Sequence, residues 1–309
     1  LAKIIEVHRA QPFAKHWGDG QASSSDGQFF RSAHRRGRAG EDNARYGPEP
    51  RLRICTHLSD MHGSFNTRVL SATSSEAPYV LAGLVGRQGG EHYTDTGGAT
   101  EHVFALCHLL GYSFVPRMRD LQDRRLAIIG ATARHKTLEP ILGRPIRIDL
   151  IQESWDDIVR LAASIKAGAV APSVMLKKLS AFKRQNRLDL ALAEVGRIER
   201  ALFTFDWLES PELRRRCQAG LNKSEARHAL AQAVFVHKQG RIADRNLQNQ
   251  ERRASGLNLV IAAIALWNTL SMERAVEHLL VREAAAPDAL LAHLSPMGWA
   301  HVSLTGDYF

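Results

Sequence analysis

Two different spacings of apolar residues divide this chain near residue 153. Before that point short apolar runs alternate with turns. Leu52, Ile54 and Leu58 fall on even positions, which predicts a strand. Asp60-Met61-His62-Gly63 then makes a turn, and Phe65, Thr67 and Val69 predict the returning strand. Ala77–Val85 reads as a helix, Glu91–Asp95 as a short strand and Thr100–Leu110 as a helix. Ser113–Val115 and Leu126–Ile129 read as further strands. Residues 1–15 read as the end of a helix leading into a strand that carries Asp19, and Gln21–Gly27 as a Ser/Gly turn. This order suits an α/β fold, a mixed sheet flanked by helices.

After residue 153 the spacing is helical. Ser154 is placed as an N-cap with Asp157 three residues on, and Ile158, Leu161 and Ile165 follow. Leu188, Leu192, Val195, Ile198, Leu202 and Phe205 form a second stripe. Only helices are expected from 154 to about 239. Arg241–Arg253 is polar, and Gly256 opens an apolar helix ending near Leu280. The division that follows is a first α/β part (1–150), a helical insertion (151–219) and a closing part with C-terminal helices (220–309). The chain opens in mid-pattern at Leu1 and reads as the C-terminal part of something longer.

The 309 residues, 44% of them hydrophobic, supply a sizeable core. A net charge of +9 favours a polyanionic partner. The three cysteines show no disulfide or zinc spacing, which fits a reducing cytoplasm. No signal peptide is visible, and the longest apolar run, Leu259–Trp267, is too short to span a bilayer, so no membrane partner is expected. No P-loop or dinucleotide-binding fingerprint occurs, so neither ATP nor NAD is indicated.

Two acidic positions carry the chemistry. Asp19 lies between Gly18 and Gly20, and Asp95 between two threonines just before Gly97-Gly98. Taken alone, Gly-Asp-Gly is more often simply a turn, and Asp95 is equally a helix cap. Two such carboxylates brought together can hold hard divalent cations such as Mg²⁺. A third is expected from Glu225, in the first turn of a helix running to about His237, or from Glu199 beside the apolar stripe. Asn222-x-x-Glu225 also has the form of a capping box, and Glu199 the form of a surface pair; spacing does not separate the two glutamates. Basic clusters stand at Arg31/Arg35/Arg36/Arg38, Lys177/Lys178, Lys183/Arg184/Arg187, Arg214/Arg215/Arg216 and Arg252/Arg253. Five of them favour phosphate contacts, with Arg184, Arg187, Arg214 and Arg215 as the DNA-binding candidates.

Long blocks in order carry a resemblance. They include WGDGQASSSDGQ (17–28), EHYTDTGG (91–98), SWDDIVRLAASIK (154–166), GRIERALF (196–203), GLNKSEAR (220–227) and LSPMGWAHVSLTGDY (294–308). The sequence resembles the C-terminal catalytic region of the Tn-three family of replicative transposases over essentially its whole length. The resemblance implies a DDE transposase with an RNase H-like fold, interrupted by a helical insertion before the last catalytic helix. By motif, Asp19 and Asp95 match the two catalytic aspartates and Glu225 the glutamate, with Glu199 as the alternative. It implies two Mg²⁺ ions roughly 4 Å apart, with Mn²⁺ able to substitute. It implies nicking at transposon 3′ ends and strand transfer into target DNA to give a cointegrate, by a homodimer of the full-length protein in the bacterial, nucleoid-associated cytoplasm. Without the family's N-terminal region, the segment alone is expected to bind DNA weakly. Ser224 stands where the family usually has Gly, and His228 where Asn is usual. Two other readings share the same carboxylates: an RNase H-like nuclease without strand transfer, and a truncated remnant that only binds DNA or pairs with intact transposase.

Overall fold

The structure is a computed structural model that describes residues 1–32, 50–87, 90–130, 136–181, 186–235, 240–281, 288–303 and 306. The chain forms two compact units, residues 1–74 with 220–309, and residues 75–219.

The first unit opens with α1 (Ala2–Arg9) and a 3-10 turn (Pro12–Trp17). A loop carrying Asp19 leads into β1 (Ser23–Ser32), followed by β2 (Arg51–Ser59) and β3 (Ser64–Ser71). Asp19 therefore precedes its strand instead of lying on it, and the expected Ser/Gly turn is the first half of β1. Two contacts explain this. β1 pairs antiparallel with β2 from Ser23 opposite Ser59 to Arg31 opposite Arg51. Ser23, Ser24 and Ser25 are also buried, and Ser24 Oγ lies 2.8 Å from Ser224 Oγ. Small polar side chains here meet a helix, so the strand lacks the apolar alternation that marks β2. The β2–β3 hairpin is as expected: His62 sits at φ 61, and the Ser59 N–H donates to the Gly63 carbonyl.

The second unit contains α2 (Ala77–Leu84), β4 (Glu91–Thr94), α3 (Glu101–Leu110) and β5 (Ser113–Pro116). It continues through β6 (Leu126–Ile128) and β7 (Leu142–Pro145), then α4 (Ile148–Glu153), α5 (Trp155–Lys166), α6 (Pro172–Ala181) and α7 (Arg187–Glu209). β4 pairs parallel with β5, and β6 with β7. Thr100 caps α3 by accepting from the Val103 N–H, and Gly111, at φ 81, ends it in the left-handed conformation. Ser154 stands at the N-cap of α5, but its hydroxyl is buried and bonds to no described residue. Ile158, Leu161 and Ile165 are buried as the spacing requires.

The stripe on α7 holds for its first half only. Leu192 and Val195 are buried, but Leu202 and Phe205 are more than half exposed and Phe203 and Trp207 face the core. Gly196 sets this face, because a Cβ there would overlap the Glu101 carbonyl oxygen, so α7 presses directly on α3. Phe104, Phe203 and Trp207 then pack ring against ring, with centroids 5.7 and 5.8 Å apart.

α8 (Pro211–Val234) begins in the second unit and ends in the first. It is continuous through Asn222, so Glu225 lies in mid-helix and not in the expected first turn, and the capping-box reading of Asn222-x-x-Glu225 does not hold. Proline at the first position of α8 marks the real start. The first unit closes with β8 (Arg241–Ile242), α9 (Leu247–Val281) and α10 (Asp288–Leu291). β8 runs parallel to β1, which makes the sheet of this unit mixed. α9 starts nine residues before Gly256, because its polar first turns lie at the surface. By length and composition α9 could cross a membrane. In the structure its Leu257, Ile261 and Ile264 instead join Leu52, Ile54, Phe30 and Leu230 in the core. The molecule is thus mixed α/β, with helices packed on a mixed sheet.

Several polar groups in the first unit's core are paired. Arg227 is fully buried, its Nε donating to Ser64 Oγ at 3.3 Å and its Nη2 to Asn258 Oδ1. Burial pushes its pKa down to about 10, so it stays charged near neutrality. His8 Nε2 lies 2.9 Å from Thr269 Oγ1, whose own proton goes to the Ala265 carbonyl, so His8 is a neutral donor. Burial lowers the His8 pKa to about 4; burial, and then Arg227, lower that of His228 to about 3. In an unfolded chain both would titrate near 6.5. Between these values the unfolded chain binds more protons, so stability falls as pH falls from about 6.5 towards 4. His8 alone is expected to cost roughly 3 kcal/mol at pH 4. Urea unfolding of wild type and His8→Asn across this window measures the difference. Parallel profiles for the two would refute it.

The three cysteines are all buried and unbridged. Burial raises the Cys107 thiol far above its usual range and pushes Cys217 up to about 12.

Candidate active site

The Asp19 loop is held on both flanks. Upstream, Trp17 is buried with Phe13, Ala14, Met61 and Leu291, and its indole N–H donates to the Leu294 carbonyl at 2.7 Å. Its ring meets His62 edge-on at 5.3 Å. At Gly18 a Cβ would displace the Asp60 carboxylate. Gly20 is favoured by its φ of +85, which side chains rarely adopt. Asp19 Oδ1 accepts from the Gln21 N–H at 2.9 Å, which fixes the side chain over its own turn. The Gly-Asp-Gly motif is thus a packed element of the fold.

Two residues that the sequence reading passed over complete this corner. Asp60 Oδ2 accepts from the Gly20 N–H at 3.3 Å. Its Oδ1 is buried and bonds to no described residue. Burial, with the nearby Asp19 charge, raises the Asp60 pKa, against the pull of Lys223. Lys223, on α8, donates to the carbonyls of Trp17 and Asp60, both at 2.7 Å. Burial lowers its pKa, and Asp60 partly restores it. A lysine in the GLNKSEAR block, two residues from the candidate glutamate, was the available signal.

Asp95 directly follows β4 in the second unit. Its Oδ1 caps a 3-10 turn (Thr96–Gly98) by accepting from the Thr96 N–H at 2.7 Å. Arg117, just past β5, reaches Oδ1 at 3.1 Å, and Arg119 reaches Oδ2 at 3.5 Å. Burial alone would raise the Asp95 pKa, but the Thr96 amide and the two guanidinium groups outweigh it and hold the carboxyl below its usual range. The carboxylate thus stands at the C-terminal ends of two parallel strands, where ligands of α/β proteins are commonly bound.

The two glutamates differ in setting. Glu199 is only partly exposed and pairs with His108 at 3.0 Å. Glu225 is exposed and makes no ion pair among the described residues. Its helix is locked to β1 through Ser24–Ser224 and through Gln28 Nε2, which donates to the His228 carbonyl at 2.8 Å. Asp19 and Glu225 thus belong to one unit, and Asp95 to the other.

Of the basic candidates, Arg184 lies outside the described residues, as do Lys183, Arg35, Arg36 and Arg38. Arg187 pairs with Glu153. Arg214 is spent on the end of α7, donating to the Trp207 and Leu208 carbonyls. Arg215 is 77% exposed and only 3.8 Å from Glu212, which leaves it open to an anion.

No three His, Cys, Asp or Glu side chains among the described residues stand close enough to form a ready metal cage. The donor chemistry nevertheless fits a hard cation. Mg²⁺ takes one or two carboxylates and fills its shell with water and substrate phosphates. Asp19 offers a carboxylate beside the unpartnered Oδ1 of Asp60.

The chain is thus a mixed α/β protein with an acidic loop braced against a helix in one unit and an aspartate at strand ends in the other. The sequence profile of the Tn3 transposase DDE domain matches residues 1–308, and the chain belongs to that family. It is 51% identical over its full length to the transposase for transposon Tn2501 of Escherichia coli. It is 50% identical to the transposases for Tn501 of Pseudomonas aeruginosa and Tn21 of Escherichia coli. The chain spans about a third of the length of these curated relatives, 31% of the first and 32% of the other two.

Proposed function

We propose that this chain is the catalytic segment of a DNA transposase in which Asp19, Asp95 and Glu225 are the catalytic carboxylates. The observation that carries the reading is the Asp19 loop, whose glycines, tryptophan anchor and half-buried Lys223 fix one carboxylate beside the helix of Glu225. We place residues 1–150 and 220–309 in an RNase H-like catalytic fold and 151–219 as its helical insertion. The helices α5, α6 and α7 support the insertion.

Asp19, Asp95 and Glu225 would hold two Mg²⁺ ions, or Mn²⁺ in their place. Bound there, the ions would acidify the attacking hydroxyl and offset charge on the leaving oxygen. The chain's own contribution is positioning. Asp19 is fixed by Gln21, Asp95 by Thr96, and Arg117 and Arg119 place positive charge at the strand ends, where a phosphate would dock. The exposed Arg215 supports a DNA backbone contact. The substrates proposed are transposon-end and target DNA, nicked at 3′ ends and joined to give a cointegrate. The acting species is a homodimer of the full-length protein in the bacterial cytoplasm.

The decisive comparison uses Mg²⁺-dependent cleavage of pre-nicked transposon-end DNA by the full-length protein. Glu225→Ala is expected to lose at least about a hundredfold in rate. Glu199→Ala, which removes only a pair to His108, is expected to stay within a few-fold. The reverse order would transfer the role to Glu199. Products cut but never joined to target DNA would favour a nuclease.

A further inference from the structure

We infer that Lys223 and Asp60 form a positioning clamp that fixes the Asp19 loop to α8 and to the β2–β3 turn, an inference that rests on the reading of Asp19 as a catalytic carboxylate. The Lys223 ammonium donates at 2.7 Å to two carbonyls from separate segments. One belongs to Trp17, two residues before Asp19; the other belongs to Asp60, at the end of β2. A lysine has three donors on a flexible stem, so one side chain can tie three segments at a point. Asp60 closes the other flank by accepting the Gly20 N–H, and its carboxylate fills the space that a side chain at position 18 would need.

The residues on either side of Asp19 are therefore bonded to one two-residue device. Asp19 itself is left to its Gln21 contact and to whatever it binds. Neither Lys223 nor Asp60 needs to touch DNA for this role. Lys223 lies two residues from Glu225 on the same helix, so the clamp also sets where the Asp19 loop stands along α8.

The test is amide hydrogen exchange on the metal-free full-length protein, followed by cleavage of pre-nicked end DNA over a Mn²⁺ titration. In Lys223→Met and Asp60→Ala, exchange at residues 18–22 is expected to speed up about tenfold, with β2 and β3 unchanged. The Mn²⁺ concentration for half-maximal cleavage is expected to rise about tenfold, with end-DNA binding unchanged. Lys223→Arg, which keeps the charge and donors, is expected to recover part of both effects. If Lys223→Met loosens the whole unit, Gly18→Ala serves instead. It pushes the Asp60 carboxylate aside without deleting a polar group, and must loosen 18–22 selectively. Unchanged exchange at 18–22 in these variants overturns the clamp. A loosened loop with cleavage intact upholds the clamp and overturns the catalytic reading of Asp19.

Discussion

Asp19→Ala and Asp95→Ala in the full-length protein are each expected to reduce strand transfer by at least about a thousandfold, with end-DNA binding retained. Several kcal/mol of transition-state charge stabilisation pass through bound cations in phosphoryl transfer, and about 4 kcal/mol corresponds to that factor. The two variants remove carboxylates from different surroundings. Asp19→Ala leaves a loop still held through Trp17 and Gly20, so the backbone should keep its course. Asp95→Ala also frees Arg117 and Arg119 and uncaps the Thr96–Gly98 turn, so a modest loss of stability should accompany it. Asp19→Asn separates charge from shape, because the amide oxygen can still accept from Gln21. It should be as inactive as alanine. Strand transfer within tenfold of wild type in either alanine variant would remove that residue from the catalytic set.

The second large effect concerns stability. Glu194 on α7 is fully buried, and three arginines converge on it. Arg197 Nη1 lies at 2.5 Å, Arg144 Nη2 at 2.9 Å and Arg147 Nε at 3.2 Å. Burial would raise its pKa, but Arg197 and Arg144 outweigh that and hold the carboxyl below its usual range. Arg197 is itself buried and also donates to the Arg144 and Pro145 carbonyls, so the carboxylate fastens β7 to α7. Glu194→Ala would leave a buried guanidinium without its counter-charge, and is expected to cost about 4 kcal/mol of unfolding free energy. Glu194→Gln keeps the volume and one acceptor and should cost less. Chemical denaturation followed by a second-unit probe such as Trp207 gives both numbers. A loss below about 1 kcal/mol for alanine would show that solvent already screens the cluster.

What the sequence made legible follows from which signals are local. The β2–β3 hairpin was readable because Leu52, Ile54 and Leu58 are all buried and Asp60–Gly63 turns within four residues. The bounds of α3 were readable for the same reason. β1 was not, because its buried serines face another helix and show no contrast with solvent-facing positions. α8 was misplaced because Asn222 and Glu225 imitate a helix start that Pro211 had already made. The stripe on α7 failed past Gly196 because its inner face is chosen by contact with α3, which no spacing records. At the candidate site, Asp19 and Asp95 stood out through their flanking turns. Asp60 and Lys223 did not, since their roles depend on hydrogen bonds between residues far apart in sequence.

The burial of all three cysteines has a practical side. Thiolate is the reactive form, and burial keeps Cys107 and Cys217 protonated at ordinary pH, while Cys55 is enclosed in β2. A cysteine placed at an exposed position such as Arg215 would be the only fast-reacting thiol in the segment. A fluorophore or spin label there could follow the approach of DNA without first stripping out the native cysteines.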